Sequence, residues 1–243
     1  MFIFIRLLLA HFIGDFPLQF NKIYTLKNRG LIGILPHVLI IMGCFIVLSW
    51  PYLNLPGLWG FIFFLTIIHL FQDSIKIGYK GVKYGFWFYL LDQVFHIALI
   101  AVVLLTELKN LQPPANSGGL IVTLYNNNLA IIYLIAVIFA SYNGYFMMRN
   151  FRSTFLRKPI PYNAFEKWYG MLERTALVSI FLLDRYLFLF ISGVLILRPL
   201  VFVLGRKKFA LNQEFTGGSE TVSSWIIALA TGLLFCFLRH KLA

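Results

Sequence analysis

The chain has 243 residues, of which 60% are hydrophobic and only 12% charged, and its formal net charge is +12. Soluble domains carry about 25% charged residues, so a chain this apolar lacks the polar surface to cover a water-soluble globule, and lipid has to cover it instead. The positive charge does not mark a nucleic-acid binder, because the Lys and Arg residues sit between apolar runs rather than on one face.

A membrane-spanning helix needs about 20 mostly apolar residues. Runs of that kind cover roughly 1–20, 31–50, 58–78, 84–106, 129–148, 166–184, 186–204 and 221–238. The first run is punctuated by Arg6, His11, Asp15 and Gln19 and lacks the small-residue cleavage site of a signal peptide, so it reads as a retained helix. Breakers fill the connections: Asn21 to Gly30, Pro51 to Pro56, Pro113 to Gly119, Pro159 to Asn163, and Gly217 with Gly218. Asp184 and Arg185 alone separate the sixth and seventh runs, which form a tight pair or one broken helix. The expected fold is all-α, a polytopic transmembrane bundle of seven to eight helices. Residues 1–110 form a four-helix core and 111–243 the C-terminal helices. Cys44 and Cys236 both lie in apolar runs and read as small packing residues, not as a disulfide or a metal pair.

Lys and Arg set the orientation. With the 21–30 loop in the cytoplasm, Lys22, Lys27, Arg29, Lys76, Lys80, Lys83, Arg149, Arg152, Arg157, Lys158, Lys167, Arg198, Arg206, Lys207 and Lys208 face inward, fifteen of the 21 basic residues. Arg6, Lys109, Arg185, Arg239 and Lys241 face outward, and Arg174 lies within a helix. The pattern, with short loops, fits a bacterial inner membrane.

Four of the five histidines and three of the four aspartates fall inside predicted spans. His11 and Asp15 are four apart, as are His69 and Asp73, and Asp92 and His96. Residues at i and i+4 share a helix face, so three helices each present a histidine and a carboxylate together, and the second adds His37. In the chosen topology all seven lie in the cytoplasmic half of the membrane. Three aspartates left alone near the bilayer centre would cost roughly 8–10 kcal/mol, which a shared inward-facing partner removes. One partner is a divalent metal, zinc- or manganese-like, which accepts imidazole and carboxylate together. The other is mutual His–Asp hydrogen bonding with shared protons. Gln19, Gln72 and Gln93 lie beside the pairs, where they either orient the ligands or join helices. Lys76 either snorkels to lipid phosphate or holds an anionic substrate group. Glu173, seven residues after Glu166 on one helix face, either anchors the interface or faces the first bundle beside the pairs.

The segments LLAHFIGDFPLQ (8–19), HVLI (37–40), IHLFQDSIKI (68–77) and LLDQVFHI (90–97) resemble an uncharacterised bacterial membrane family, domain of unknown function 3307. Its marks are H-x-x-x-D-F-x-L-Q, a lone His, H-x-x-x-D-x-x-K and D-Q-x-x-H, in that order. WYGMLERT (168–175) resembles a G-x-x-E-R element found downstream. Thr221 stands where the family commonly has an aromatic after the residue at Glu220. The resemblance implies the architecture and the residue set. More loosely, the H-x-x-x-D helices look like those of bacterial inner-membrane metal-dependent hydrolases.

The leading expectation is a membrane-embedded metal-dependent hydrolase. His11, His37, His69, His96, Asp15, Asp73 and Asp92 would bind one or two divalent metals, and one aspartate would serve as general base. A lipid or lipid-linked substrate would enter from the cytoplasmic half of the bilayer, with its head group near Lys76. A proton- or ion-coupled transporter using the His/Asp relay is the second expectation. A non-enzymatic assembly or sensing subunit, in which the pairs only join helices, is the third.

Overall fold

The computed structural model describes the chain except at positions 28, 79–82, 116–117, 158–159, 161, 182–190, 192–196, 202, 206–217 and 243. Among the described residues every regular element is helical. Five helical stretches are long and apolar enough to cross a membrane: Leu31–Leu48, Pro56–Gly78, Gly85–Leu105, Asn128–Leu156 and Thr221–Arg239. They fall on five of the eight expected runs. The expected helix over 166–184 is present as Ala164–Ile180, and its end at 184 lies outside the described residues, as does most of the run at 186–204.

The run at 1–20 is not one span. Helix α1 covers Phe2–Asp15, and a short helix α2 follows at Asn21–Lys27. Pro17 fits the stop: Phe16 still donates to the Phe12 carbonyl, but proline offers no N–H with which to continue the ladder. Fourteen residues rise about 21 Å, short of the ~30 Å hydrocarbon core. The helix tolerates this because its neighbours rather than lipid surround it: Ile3, Leu7 and Ala10 are fully buried against Ile41, Phe45, Ile62 and Ile100. Those partners come from α3 (Leu31–Leu48), α4 (Pro56–Gly78) and α5 (Gly85–Ala101).

Glycine sets two close approaches. A Cβ on Gly14 would sit 3.0 Å from Ile41 Cγ1 and 3.2 Å from its Cα, so α1 lies directly on α3. A Cβ on Gly33 would sit 1.9 Å from the Leu26 carbonyl oxygen, so α2 folds back onto the start of α3. Outward, α3, α4 and α5 show Leu39, Phe63, Ile67, Phe71, Ile75, Leu91 and Phe95, an apolar surface suited to lipid. At the opposite end of α1 from Asp15, Phe2 packs edge-on to Tyr52 and Tyr125. Arg6, fully buried there, stacks over Phe2 at 3.4 Å and donates to the Phe2 carbonyl, the Tyr125 carbonyl and Asn128 Oδ1. It thereby ties in α6 (Leu120–Asn126) and the start of α7 (Asn128–Ile138).

The chain divides into two compact units, Met1–Ile135 and Ala136–Ala243. The second unit holds α8 (Gly144–Leu156), α9 (Ala164–Ile180) and α10 (Gly218–Leu242). A π-helical turn, Phe139–Asn143, precedes α8. Such a turn loosens the carbonyl ladder, and Arg174 takes advantage of it by donating to the carbonyls of Ala140 (2.6 Å) and Ser141 (3.0 Å). Gly144 and Gly170 leave room for its guanidinium, which would lie 3.1 Å from a Cβ on either.

Candidate functional site

The helical period brings the three i,i+4 pairs into the interior of the first unit. His11 and Asp15 end α1, His69 and Asp73 lie late in α4, and Asp92 and His96 lie mid-way along α5. His37 enters from α3, just after Pro36, whose missing N–H leaves the Ile32 carbonyl without its helical bond. All four imidazoles and Asp73 are buried to 3% exposure or less.

His37 is the hub. Its Nε2 lies 3.1 Å from Asp15 Oδ1, 3.4 Å from Asp73 Oδ2 and 3.3 Å from His69 Nε2. His69 Nε2 is 3.4 Å from Asp73 Oδ2, His96 Nε2 is 3.3 Å from Asp92 Oδ1, and His11 Nε2 is 3.8 Å from Asp15 Oδ2. A ring nitrogen carries at most one proton, so His37 Nε2 cannot satisfy two carboxylates and a second imidazole at once. The rings of His69 and His96 stack at 4.3 Å, and His11 lies 4.8 Å from His96 and 5.5 Å from His69. The Nε2 atoms of His11 and His96 and the Nδ1 of His37 make no hydrogen bond. A buried polar atom left without a partner costs about 1–3 kcal/mol.

Three groupings keep their ligand atoms within 4.8 Å of one another: His11, His69 and His96; Asp15, His37 and His69; and Asp73, Asp92 and His96. All seven predicted residues take part. A small cavity beside the first grouping is otherwise walled by Phe45, Leu65, Leu99 and Ile100, which exclude bulk water from that side.

Two lysines complete the centre. Lys76, expected near the site, pairs with Asp92 Oδ2. Lys27, which the sequence marked only as a loop charge, is buried with its Nζ 2.6 Å from Asp73 Oδ2. Its place in the short connection between two site-bearing helices was the available signal. Gln19, with its amide turned to satisfy both neighbours, donates to the Asp15 carbonyl (3.1 Å) and accepts from Lys27 Nζ (3.2 Å). Gln93 donates to Asp92 Oδ2 at 3.2 Å. Gln72 Oε1 is buried without a hydrogen bond, one residue before Asp73. Three carboxylates thus share the centre with two lysine ammonium groups, Lys27 at Asp73 and Lys76 at Asp92.

Glu173 has its described partners in the second unit. Its carboxylate takes a forked pair from Arg198 at 3.0 and 2.5 Å, with Ser224 Oγ at 3.2 Å and Trp225 Nε1 at 3.4 Å. The pair is buried within the protein on both sides.

Residues 3–117 match the model of a family described as protein of unknown function (DUF3307). That stretch contains all seven His and Asp residues and both lysines. No curated protein and no solved structure matches the chain.

Proposed function

We propose that this chain, whose residues 3–117 carry a DUF3307 domain, is a membrane-embedded metal-dependent hydrolase of a lipid or lipid-linked ester. The observation that carries the reading is the set of three overlapping groupings through which the four histidines and three aspartates bring ligand atoms within 4.8 Å of one another. Proteins rarely place ionisable groups in a membrane interior without a functional reason.

His11, His69 and His96 are the ligand set with the fewest competing partners. Three imidazoles leave a fourth position open, which suits a catalytic rather than a closed structural site. Bound there, a divalent metal would supply Lewis acidity. Asp15 is the carboxylate with no lysine among its described ion pairs, and His37 orients it. It accepts a proton from water as the water oxygen bonds to phosphorus or an acyl carbon. The ester bond to the leaving oxygen then breaks, and that oxygen is protonated. Lys76, whose side chain is 34% exposed, binds the anionic head group, and the exposed Phe71, Ile75 and Leu91 meet the acyl chains. The bias of Lys and Arg toward one set of loops supports a reading in which this centre lies in the cytoplasmic half of a bacterial inner membrane.

The continuous run of His–Asp contacts at 3.1–3.8 Å supports a second reading, a proton relay in a coupled transporter. Metal content separates the two. Inductively coupled plasma mass spectrometry on the detergent-purified chain is expected to find stoichiometric metal, lost in a His69→Ala/Asp73→Ala variant. A folded wild type that stays metal-free after loading with zinc or manganese rejects the hydrolase. Metal without any metal-dependent cleavage of lipid esters keeps the centre and rejects the reaction.

A further inference from the structure

The groupings of the His/Asp centre overlap: His69 belongs to two of them, and so does His96. An imidazole nitrogen has one lone pair and serves one ion. An ion held by His11, His69 and His96 therefore leaves Asp73 and Asp92 over, with ligand atoms within 4.8 Å of one another. Carboxylates this close repel unless a cation or a proton lies beside them. Two-metal centres seat their second ion about 3.5–4 Å from the first, and carboxylate oxygens suit a hard ion such as manganese or magnesium.

Here the cations beside both carboxylates are lysines. Lys27 Nζ is 2.6 Å from Asp73 Oδ2, and Lys76 Nζ pairs with Asp92 Oδ2. Both are held in place. Lys27 comes in on α2 and donates to Gln19 at 3.2 Å, while Lys76 lies one turn after Asp73 on α4, with its ammonium 5.4 Å from the centre of the Tyr89 ring. A divalent ion at the same carboxylates would meet two fixed positive charges in a low-dielectric interior. His96 closes the third side. Its ring is 2% exposed, and its Nε2 lies 3.3 Å from Asp92 Oδ1 without forming a hydrogen bond.

We propose that Asp73 and Asp92, with His96 at their side, form a second divalent-cation subsite that Lys27 and Lys76 fill in place of an ion, so that the centre works with one metal. For that first ion the proposal rests on the metal-dependent reading above. The two ammonium groups supply the positive charge that a second ion would offer an anionic substrate, without the open coordination position of a metal.

The test uses the full chain in an uncharged detergent, stripped with a chelator and reloaded with manganese. Manganese per chain is read by inductively coupled plasma mass spectrometry, and the coupling between neighbouring ions by electron paramagnetic resonance. The wild type and Lys27→Arg/Lys76→Arg are expected to hold one ion each. Lys27→Met/Lys76→Met is expected to hold two, spin-coupled, and to return to one when Asp92→Asn is added. If the double Met variant does not fold, Lys76→Met alone carries the comparison, since that side chain is 34% exposed, and it is expected to take up the second ion. No gain on removing the lysines, an equal gain in the Arg variant, or two ions in the wild type overturns the proposal. No ion in the wild type with one in the Met variant keeps the lysine-filled subsite and rejects the hydrolase reading instead.

Discussion

The ion pair between Lys27 and Asp73 is buried on both sides, with side chains 9% and 1% exposed. Removing one partner of such a pair strands the other charge, typically at a cost of about 3–5 kcal/mol. Lys27→Met is therefore expected to lower stability by about that much in denaturant unfolding of the detergent-solubilised protein, and Lys27→Met/Asp73→Asn to recover most of the loss. Equal stability in the single variant and the wild type would show that the pair contributes nothing. The histidines and aspartates were legible as candidates because ionisable residues are conspicuous in an apolar sequence. Lys27 was not, because a lysine in a basic loop is the ordinary topological signal. Its eight-residue distance from Gln19 along the chain says nothing of the 3.2 Å between their side chains. Glu173 and Arg198 show the same limit: 25 residues apart, they form a forked pair that only packing brings together.

At the scale of elements, α1 and α2 carry the lesson. A hydropathy window joins residues 1–20 into one span, yet Pro17 ends α1 at Asp15. The shorter helix delivers His11 and Asp15 at the level of His37, and the returning α2 delivers Lys27. Gly33 holds this geometry, since a Cβ there would overlap the Leu26 carbonyl at 1.9 Å, a backbone atom that cannot rotate away. Gly33→Ala is expected to push α2 off α3, costing about 1–3 kcal/mol as overpacking does. Hydrogen exchange should quicken over residues 21–27, and an unchanged exchange rate there would show that α2 does not depend on this contact. Conversely, the period of α4 and α5 was readable without the structure: i,i+4 spacing guarantees a shared face once the segment is helical.

For the whole molecule, the basic residues give an orientation, and the packing refines which of them count. Lys27, Lys76 and Arg198 are held in buried or partly buried ion pairs, and Arg6 is fully buried. Setting these aside leaves twelve inward charges against four outward, so the bias survives. In a Cys44→Ala/Cys236→Ala background, Asn54→Cys is expected to react with a membrane-impermeant maleimide in intact spheroplasts. Lys22→Cys should react only after permeabilisation. The reverse pattern would invert the topology and move the His/Asp centre to the outer half. Asn54 and Lys22 are both exposed, so burial does not confound the labelling.

Composition and periodicity by themselves pointed to helices long and apolar enough to cross a membrane, and to the seven residues that stand out, because an apolar solvent penalises every stray charge and backbone group. The tertiary structure alone decided how those residues are partnered. It made His37 the hub, brought Lys27 to Asp73, and gave Glu173 its partners Arg198, Ser224 and Trp225. These are long-range contacts fixed by interhelical distances of a few ångströms, and local sequence patterns carry no information about them.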